Sequence, residues 1–419
     1  MSRYDEMEAV MALIWRLPAS EAGHIVQSSA FKMLVRHCEA TYPSFGKGFS
    51  RSFALLDGLR AVGLPCEQRQ GLPPVDISTA SRALVDALEL QQVTRRYLAP
   101  LHLADELPSL QFGDAWVTRF TPDELRRVIE FDRLVRQGYA SPPDIGLLSQ
   151  LQWLVVEHTA PTPGGVAARG SRLFQGAFEG DPGAIEPYEG RYPKPMMDAL
   201  FALLLQPWED WHGHGDYDWR AFSIPWVHVA TGDIFDRAQA IPPAADLAWE
   251  PHFVGDEEVG EKPVVWNLDF ADAAALSKVD DTCWSRLEKA RRSTLFQTPV
   301  EHFLLQGYLA TGMDEIIAHM ISIEAAVGLR SDFGAGGAKK RVTKRVGKLL
   351  NDGVAGNEYG DLVEVRSQFV HGRAFQGKVP SVTRNQARVL ARRVANALVD
   401  RAQTLPDGKS REEFLNELG

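Results

Sequence analysis

Apolar residues near the start of the chain recur at i, i+3, i+4, i+7 and i+8, as Met7, Val10, Met11, Ile14 and Trp15. That spacing predicts helices over roughly the first 60 residues. Proline and glycine between Leu64-Pro65 and Pro73-Pro74 mark a loop. A helix over residues 78–90 follows, with Ser78 as its cap. Over residues 97–119 the pattern loosens to a weak alternation broken by Pro100 and Pro108, which predicts short strands. Thr121-Pro122-Asp123-Glu124 is a helix start, with a threonine cap, proline at the first position and acids in the first turn. That helix is expected to run through Val128, Ile129 and Leu134 to Gly138. Residues 147–156 read as a buried strand, 161–192 as loops and 195–208 as an apolar helix. Residues 222–229 and 264–270 read as strands, separated by a loop with acidic ends. At Thr298-Pro299 the texture changes, and residues 299–311, 313–329, 337–351, 358–371 and 382–403 all read as helix. The expected fold class is α+β. Its parts are a mostly helical region with short strands over 1–140, a mixed α/β region over 141–290, a helical bundle over 291–405 and a charged tail without evident role over 406–419.

A chain of 419 residues accommodates two or three domains. No window approaches the ~18 uninterrupted apolar residues of a membrane span. The opening Met1-Ser-Arg-Tyr-Asp-Glu-Met-Glu is acidic where a secretory leader would be basic and then apolar. Cys38, Cys66 and Cys283 lie far apart without a CxxC pair, and are expected to be reduced core thiols. A cytoplasmic protein without a membrane partner is expected. The net charge of −10 argues against a nucleic-acid partner until its distribution is considered. Residues 336–401 hold 14 Lys or Arg against 5 Asp or Glu, a balance of +9, which leaves −19 on the rest. A basic segment on an acidic body is the footprint of a phosphate-binding surface, or of a patch that docks on the acidic remainder.

Within that segment stands Arg366-Ser-Gln-Phe-Val-His371-Gly372, an R-x4-H pair at the end of an expected helix. With 33 arginines and 11 histidines, about one such pair arises by chance, so its context decides. The R-x5-H spacing of Arg96 and His102 is interrupted by Pro100 in an extended region and is coincidence. His212 and His214, in Trp208-Glu-Asp-Trp-His-Gly-His-Gly-Asp216, have spacings that suit a metal. The commoner role of such a stretch is a polar turn with aromatic anchors. Lys47 and the glycines of 334–337 miss the G-x4-G-K-[S/T] phosphate loop, which argues against nucleotide hydrolysis.

The phrase around Arg366 and His371 resembles the motif of the HEPN superfamily, in particular its Apea-like branch. The order of helices before it is similar too: Ile321-Ser-Ile-Glu324-Ala-Ala326, then a basic helix ending Val346-Gly-Lys-Leu-Leu350, then the motif helix and a long final helix. The likeness covers residues 297–401, while residues 1–290 match no one family. It implies a helical bundle and a metal-independent endoribonuclease without cofactor. It also implies homodimers whose two motifs line one cleft. Histidine titrates near neutral pH and serves as acid or base, while arginine matches phosphate oxygens. Five residues at 100° each place Arg366 and His371 about 140° apart on an ideal helix, so either the helix loosens at Gly372, a natural cap residue, or a second chain supplies a symmetric copy, and the resemblance implies the second. At a helix C-terminus His371 would be favoured as imidazolium, the acid form.

Ser367 matches the family's small or polar residue after the arginine. Glu324 matches an acidic position on the second helix, where it either holds Arg366 or is an ordinary helix carboxylate. Lys339, Lys340, Arg341, Lys344, Arg345, Lys348 and Arg373 are expected to contact RNA or to form a solvated face. The resemblance implies a toxin-like effector in antiphage defence or growth arrest, with the acidic N-terminal part sensing a trigger or restraining the nuclease. Two other readings stand beside it. One is an inactive HEPN module for RNA binding or dimerisation. The other is a plain scaffold in which Arg366 pairs with Glu364 or Asp361 and His371 caps its helix.

Overall fold

The computed structural model describes residues 2–43, 48–67, 72–104, 107–138, 143–162, 184–207, 222–266, 276, 278–334, 337–370 and 378–419. The chain is α+β, with most strands in its N-terminal half and helices at its C-terminal end. It divides into two units, each assembled from separate stretches of chain. One comprises Met1–Pro100, Arg119–Ile185 and Pro225–Pro263, and the other Leu101–Thr118, Glu186–Ile224 and Val264–Gly419. This differs from four successive regions, because sequence pattern reports local elements and not which distant stretches pack together. No helix among the described residues is long and apolar enough to cross a membrane.

In the first unit the helices Arg3–Trp15, Ser29–Thr41 and Ile77–Glu89 bury Met7, Met11, Ile14, Phe31, Leu34 and Leu84 in one core. Cys38 and Cys66 are buried free thiols. The cap of Ile77–Glu89 is Asp76, not Ser78; its carboxylate accepts from the Thr79 backbone N–H at 2.9 Å. Thr121 is the cap, as expected, and forms a capping box with Glu124, but its helix stops at Val128. Glu130, at φ 56°, turns the chain into a second helix, Phe131–Arg136. Strand Gln92–Leu101 lies between Gln152–Pro161 and His228–Thr231, and pairs antiparallel with the latter. The stretch expected to be a loop with acidic ends contains a hairpin, Trp249–Val254 with Glu257–Pro263. Its side chains are almost all exposed, so no buried face imposed a readable alternation.

Among the described residues, the second unit holds eight α-helices after residue 280. They are numbered α1 (Asp281–Arg291), α2 (Val300–Leu309), α3 (Gly312–Val327), α4 (Arg330–Gly334), α5 (Ala338–Leu350), α6 (Gly353–Val370), α7 (Ser381–Thr404) and α8 (Arg411–Leu418). The five expected helices correspond to α2, α3, α5, α6 and α7. Two ends of the bundle differ from expectation. Upstream, α1 belongs to it, since Lys289 donates to the Gln403 carbonyl at 3.0 Å and Arg286 pairs with Asp400. Downstream, the expected tail forms α8, capped by Ser410 and Glu413, and buries Phe414 and Leu415. Arg411 donates to the carbonyls of Ala325 at 2.6 Å and Gly328 at 2.8 Å, which tethers α8 to the end of α3.

Helix α3 packs against both α2 and α7. Its Glu315 is fully buried and pairs with Arg388 of α7, itself 3% exposed. Helices α5 and α6 approach most closely where Gly356 meets α5: a Cβ there would lie 2.7 Å from the Thr343 carbonyl oxygen. Because the obstacle is backbone, Gly356→Ala must push the two helices apart. It is expected to cost about 1–3 kcal/mol, the usual range for overpacking. Chemical denaturation of the purified variant checks this; an unchanged midpoint would contradict the close contact.

Candidate active site

Helix α6 places its side chains by period. Tyr359 and Leu362 are buried, and Arg366 lies seven residues beyond Tyr359. Seven steps of 100° fall 20° short of two turns, so Tyr359 and Arg366 share one face. That face meets Glu324, near the C-terminal end of α3. The Oε1 atom of Glu324 accepts from the Tyr359 hydroxyl at 2.9 Å and from Arg366 Nη1 at 2.7 Å. Arg366 therefore pairs with Glu324 of another helix, and neither Glu364 nor Asp361 takes it. Burial, and then the Glu324 carboxylate beside it, push the Tyr359 phenol well above its ordinary pKa.

Arg366 is only partly covered, its side chain 26% exposed, and Glu324 Oε1 is its one partner among the described residues. No other described residue takes the remaining N–H groups of the guanidinium, whose geometry suits phosphate oxygens. Ser367 is half-buried and makes no side-chain hydrogen bond among the described residues. Phe369 and Val370 end the helix exposed, at 46% and 58%. His371, Gly372 and Arg373 lie outside the described residues, as do Lys47 and the His212/His214 turn.

The basic helix α5 departs most from expectation. Arg345 is 3% exposed and does not belong to an RNA-facing set. It pairs with Asp332 of α4, equally buried, and donates to the carbonyls of Val327 at 3.1 Å and Leu415 at 3.0 Å. Burial alone would raise the Asp332 carboxyl; the Leu329 N–H and the Arg345 and Arg341 guanidiniums outweigh it and hold it below its usual range. Arg341 is also committed to Asp332, at 2.8 Å, and Lys339 pairs with Glu364 of α6. Lys340, Lys344 and Lys348 are exposed. Spaced four apart, they form one stripe on the helix. Lys340 and Lys344 have no ion-pair partner among the described residues, and Lys348 reaches the Gly419 carbonyl at 3.3 Å.

Sequence pattern did not single out a second concavity in this unit. A cavity of about 790 Å³ opens between residues 186–198 and 296–305, with Tyr188, Met197, Asp198, Glu301 and His302 among its walls. Behind it the guanidinium of Arg291 is shared by Asp198 at 3.2 Å, Glu288 at 2.9 Å and Glu301 at 2.8 Å. Burial, with the Asp198 carboxylate adding to it and Arg291 opposing it, pushes the Glu301 carboxyl up to about 7.

Structural and exposed cations of α5 are separable by mutation. Arg345→Ala removes the buried partner of Asp332, leaving it Arg341 and the Leu329 N–H, and takes the donor from the Val327 and Leu415 carbonyls; it is expected to cost about 3 kcal/mol. Lys344→Ala is expected to change stability by less than about 0.5 kcal/mol. Urea unfolding of the two variants checks the contrast; equal losses would contradict it.

Compared with protein-family models, with curated proteins and with solved structures, the chain matches none.

Proposed function

We propose that this chain is a metal-independent endoribonuclease of HEPN type, with Arg366 and His371 as its catalytic residues. The observation that carries the reading is the hold on Arg366: one nitrogen bound to Glu324 and no other partner among the described residues, on the helix that precedes His371 in the chain. In the reaction the RNA 2′-oxygen attacks phosphorus and loses its proton to a base. The bond from phosphorus to the 5′-oxygen breaks, and that oxygen takes a proton from an acid. His371 moves protons in this scheme, and Arg366 stabilises the charge that grows on the phosphorane oxygens. The products are a 2′,3′-cyclic phosphate and a 5′-hydroxyl. The exposed Lys340, Lys344 and Lys348 hold the flanking phosphates.

The reading extends to a toxin-like effector in antiphage defence or growth arrest, whose acidic N-terminal part senses a trigger or restrains cleavage. It also includes a homodimer whose two motifs line one cleft, as the resemblance to HEPN domains implies. The exposed Phe369 and Val370, within the motif, are apolar surface of the kind such a contact covers. A second reading, a non-catalytic RNA-binding or dimerisation module, draws support from the same ion pair, since Glu324 already occupies part of Arg366.

Two measurements separate these readings. Arg366→Ala and His371→Ala are each expected to abolish cleavage of single-stranded RNA by purified protein while leaving the unfolding midpoint near that of the parent chain. Activity of the parent is expected to survive EDTA. Mutants that retain parental cleavage, or a parent that Mg²⁺ must reactivate, would remove this chemistry. Light scattering of the full chain is expected to give a dimer; an active monomer would remove the shared cleft.

A further inference from the structure

We propose that Tyr359 is the positioning residue for Arg366, aiming the guanidinium at phosphate through the Glu324 carboxylate that both side chains share. The inference rests on the ribonuclease reading and adds to it a residue that the motif does not contain. Tyr359 is 2% exposed, and the one hydrogen bond of its hydroxyl among the described residues goes to Glu324 Oε1 at 2.9 Å. The same oxygen takes Arg366 Nη1 at 2.7 Å. If the carboxylate swung away, a buried phenol would be left without an acceptor, at a cost of about 1–3 kcal/mol. Tyr359 thus fixes the rotamer of Glu324, and Glu324 fixes the direction of Arg366.

Comparison with the other arginines of the bundle shows what is particular here. Arg345 and Arg388 are each 3% exposed and tied to equally buried carboxylates. Both are consumed in holding helices together. Arg366 is 26% exposed and held at a single nitrogen, by an oxygen that already accepts from a phenol. An acceptor shared between two donors grips each of them less than a two-oxygen fork would. The result is a cation that is aimed but not used up. Tyr359 itself is buried and touches no substrate in this scheme.

Steady-state cleavage of a fluorescent single-stranded RNA by four full-length proteins tests the role: the parent, Tyr359→Phe, Glu324→Ala and the double variant. Phenylalanine keeps the ring and its packing and removes only the hydroxyl. Tyr359→Phe is expected to lower kcat on the order of 10-fold, less than the ~10²-fold that an ångström of misplacement costs a catalytic group. KM and the unfolding midpoint are expected to stay near parental values. In the Glu324→Ala background the same substitution is expected to cause no further loss, because its route to Arg366 is already cut. A kcat equal to the parent's, the same fold-loss in both backgrounds, or a loss that only follows the folded fraction would each overturn the positioning role while leaving the ribonuclease reading intact. A parent chain that cleaves no RNA overturns that reading, and the role of Tyr359 with it.

Discussion

Two carboxylates of α3, the buried Glu315 and the partly covered Glu324, must meet cations, and that requirement sets the helices around them. Glu315 is matched by Arg388 of α7, and Glu324 by Arg366 and Tyr359 of α6. At the fully buried Glu315 an uncompensated charge costs several kcal/mol, so α7 does not slide along α3 by a residue without a large loss, and the partly covered Glu324 adds a weaker preference for the register of α6. Register, once fixed in this way, also fixes where the motif arginine sits. Packing contributes shape: Gly356 lets α5 and α6 approach closely, and the small residues Ala387, Ala391 and Ala395 of α7 are fully covered. Stability and site geometry therefore have one origin in this unit.

The excess of basic residues over 336–401 first suggested a broad phosphate-binding surface. Pairing narrows it. Asp332, Glu315 and Glu324 all lie outside that segment, and they take Arg341, Arg345, Arg388 and Arg366. Asp352 and Glu364, within it, take Arg393 and Lys339. Much of the apparent positive charge is internal neutralisation between helices. Among the described residues of the segment, the lysine stripe of α5, Lys378, Arg401 and the uncovered side of Arg366 remain exposed. The surface is narrower than composition implied, and it fits a chain whose net charge is −10.

The helical half of the fold was legible because α2, α3, α5, α6 and α7 bury one stripe each, and a buried stripe imposes its period on the sequence. The acid that meets Arg366 was legible as an acid on the second helix; which of its two expected roles it takes is decided by distance. Arg345 was misread although the signal was present. It lies three residues after Val342 and four before Leu349, on the buried face of α5, and the surrounding lysines masked that position. Tyr359 had the weaker signal of a seven-residue offset from Arg366, which an ordinary core aromatic shares. The 249–263 hairpin left no alternation because neither of its faces is buried. Helix α8 is too short and too charged for its period to stand out, and its docking depends on Arg411 meeting carbonyls more than 80 residues away in sequence.

The central claim is that a guanidinium held by Glu324 acts with His371 on RNA. Sequencing of RNA ends from cells that express the parent chain or His371→Ala tests it most directly. The account predicts new ends with 2′,3′-cyclic phosphate and 5′-hydroxyl in the parent, and their absence in the variant at equal protein level. Identical end profiles in the two strains, or new ends that carry 5′-phosphate, would contradict it.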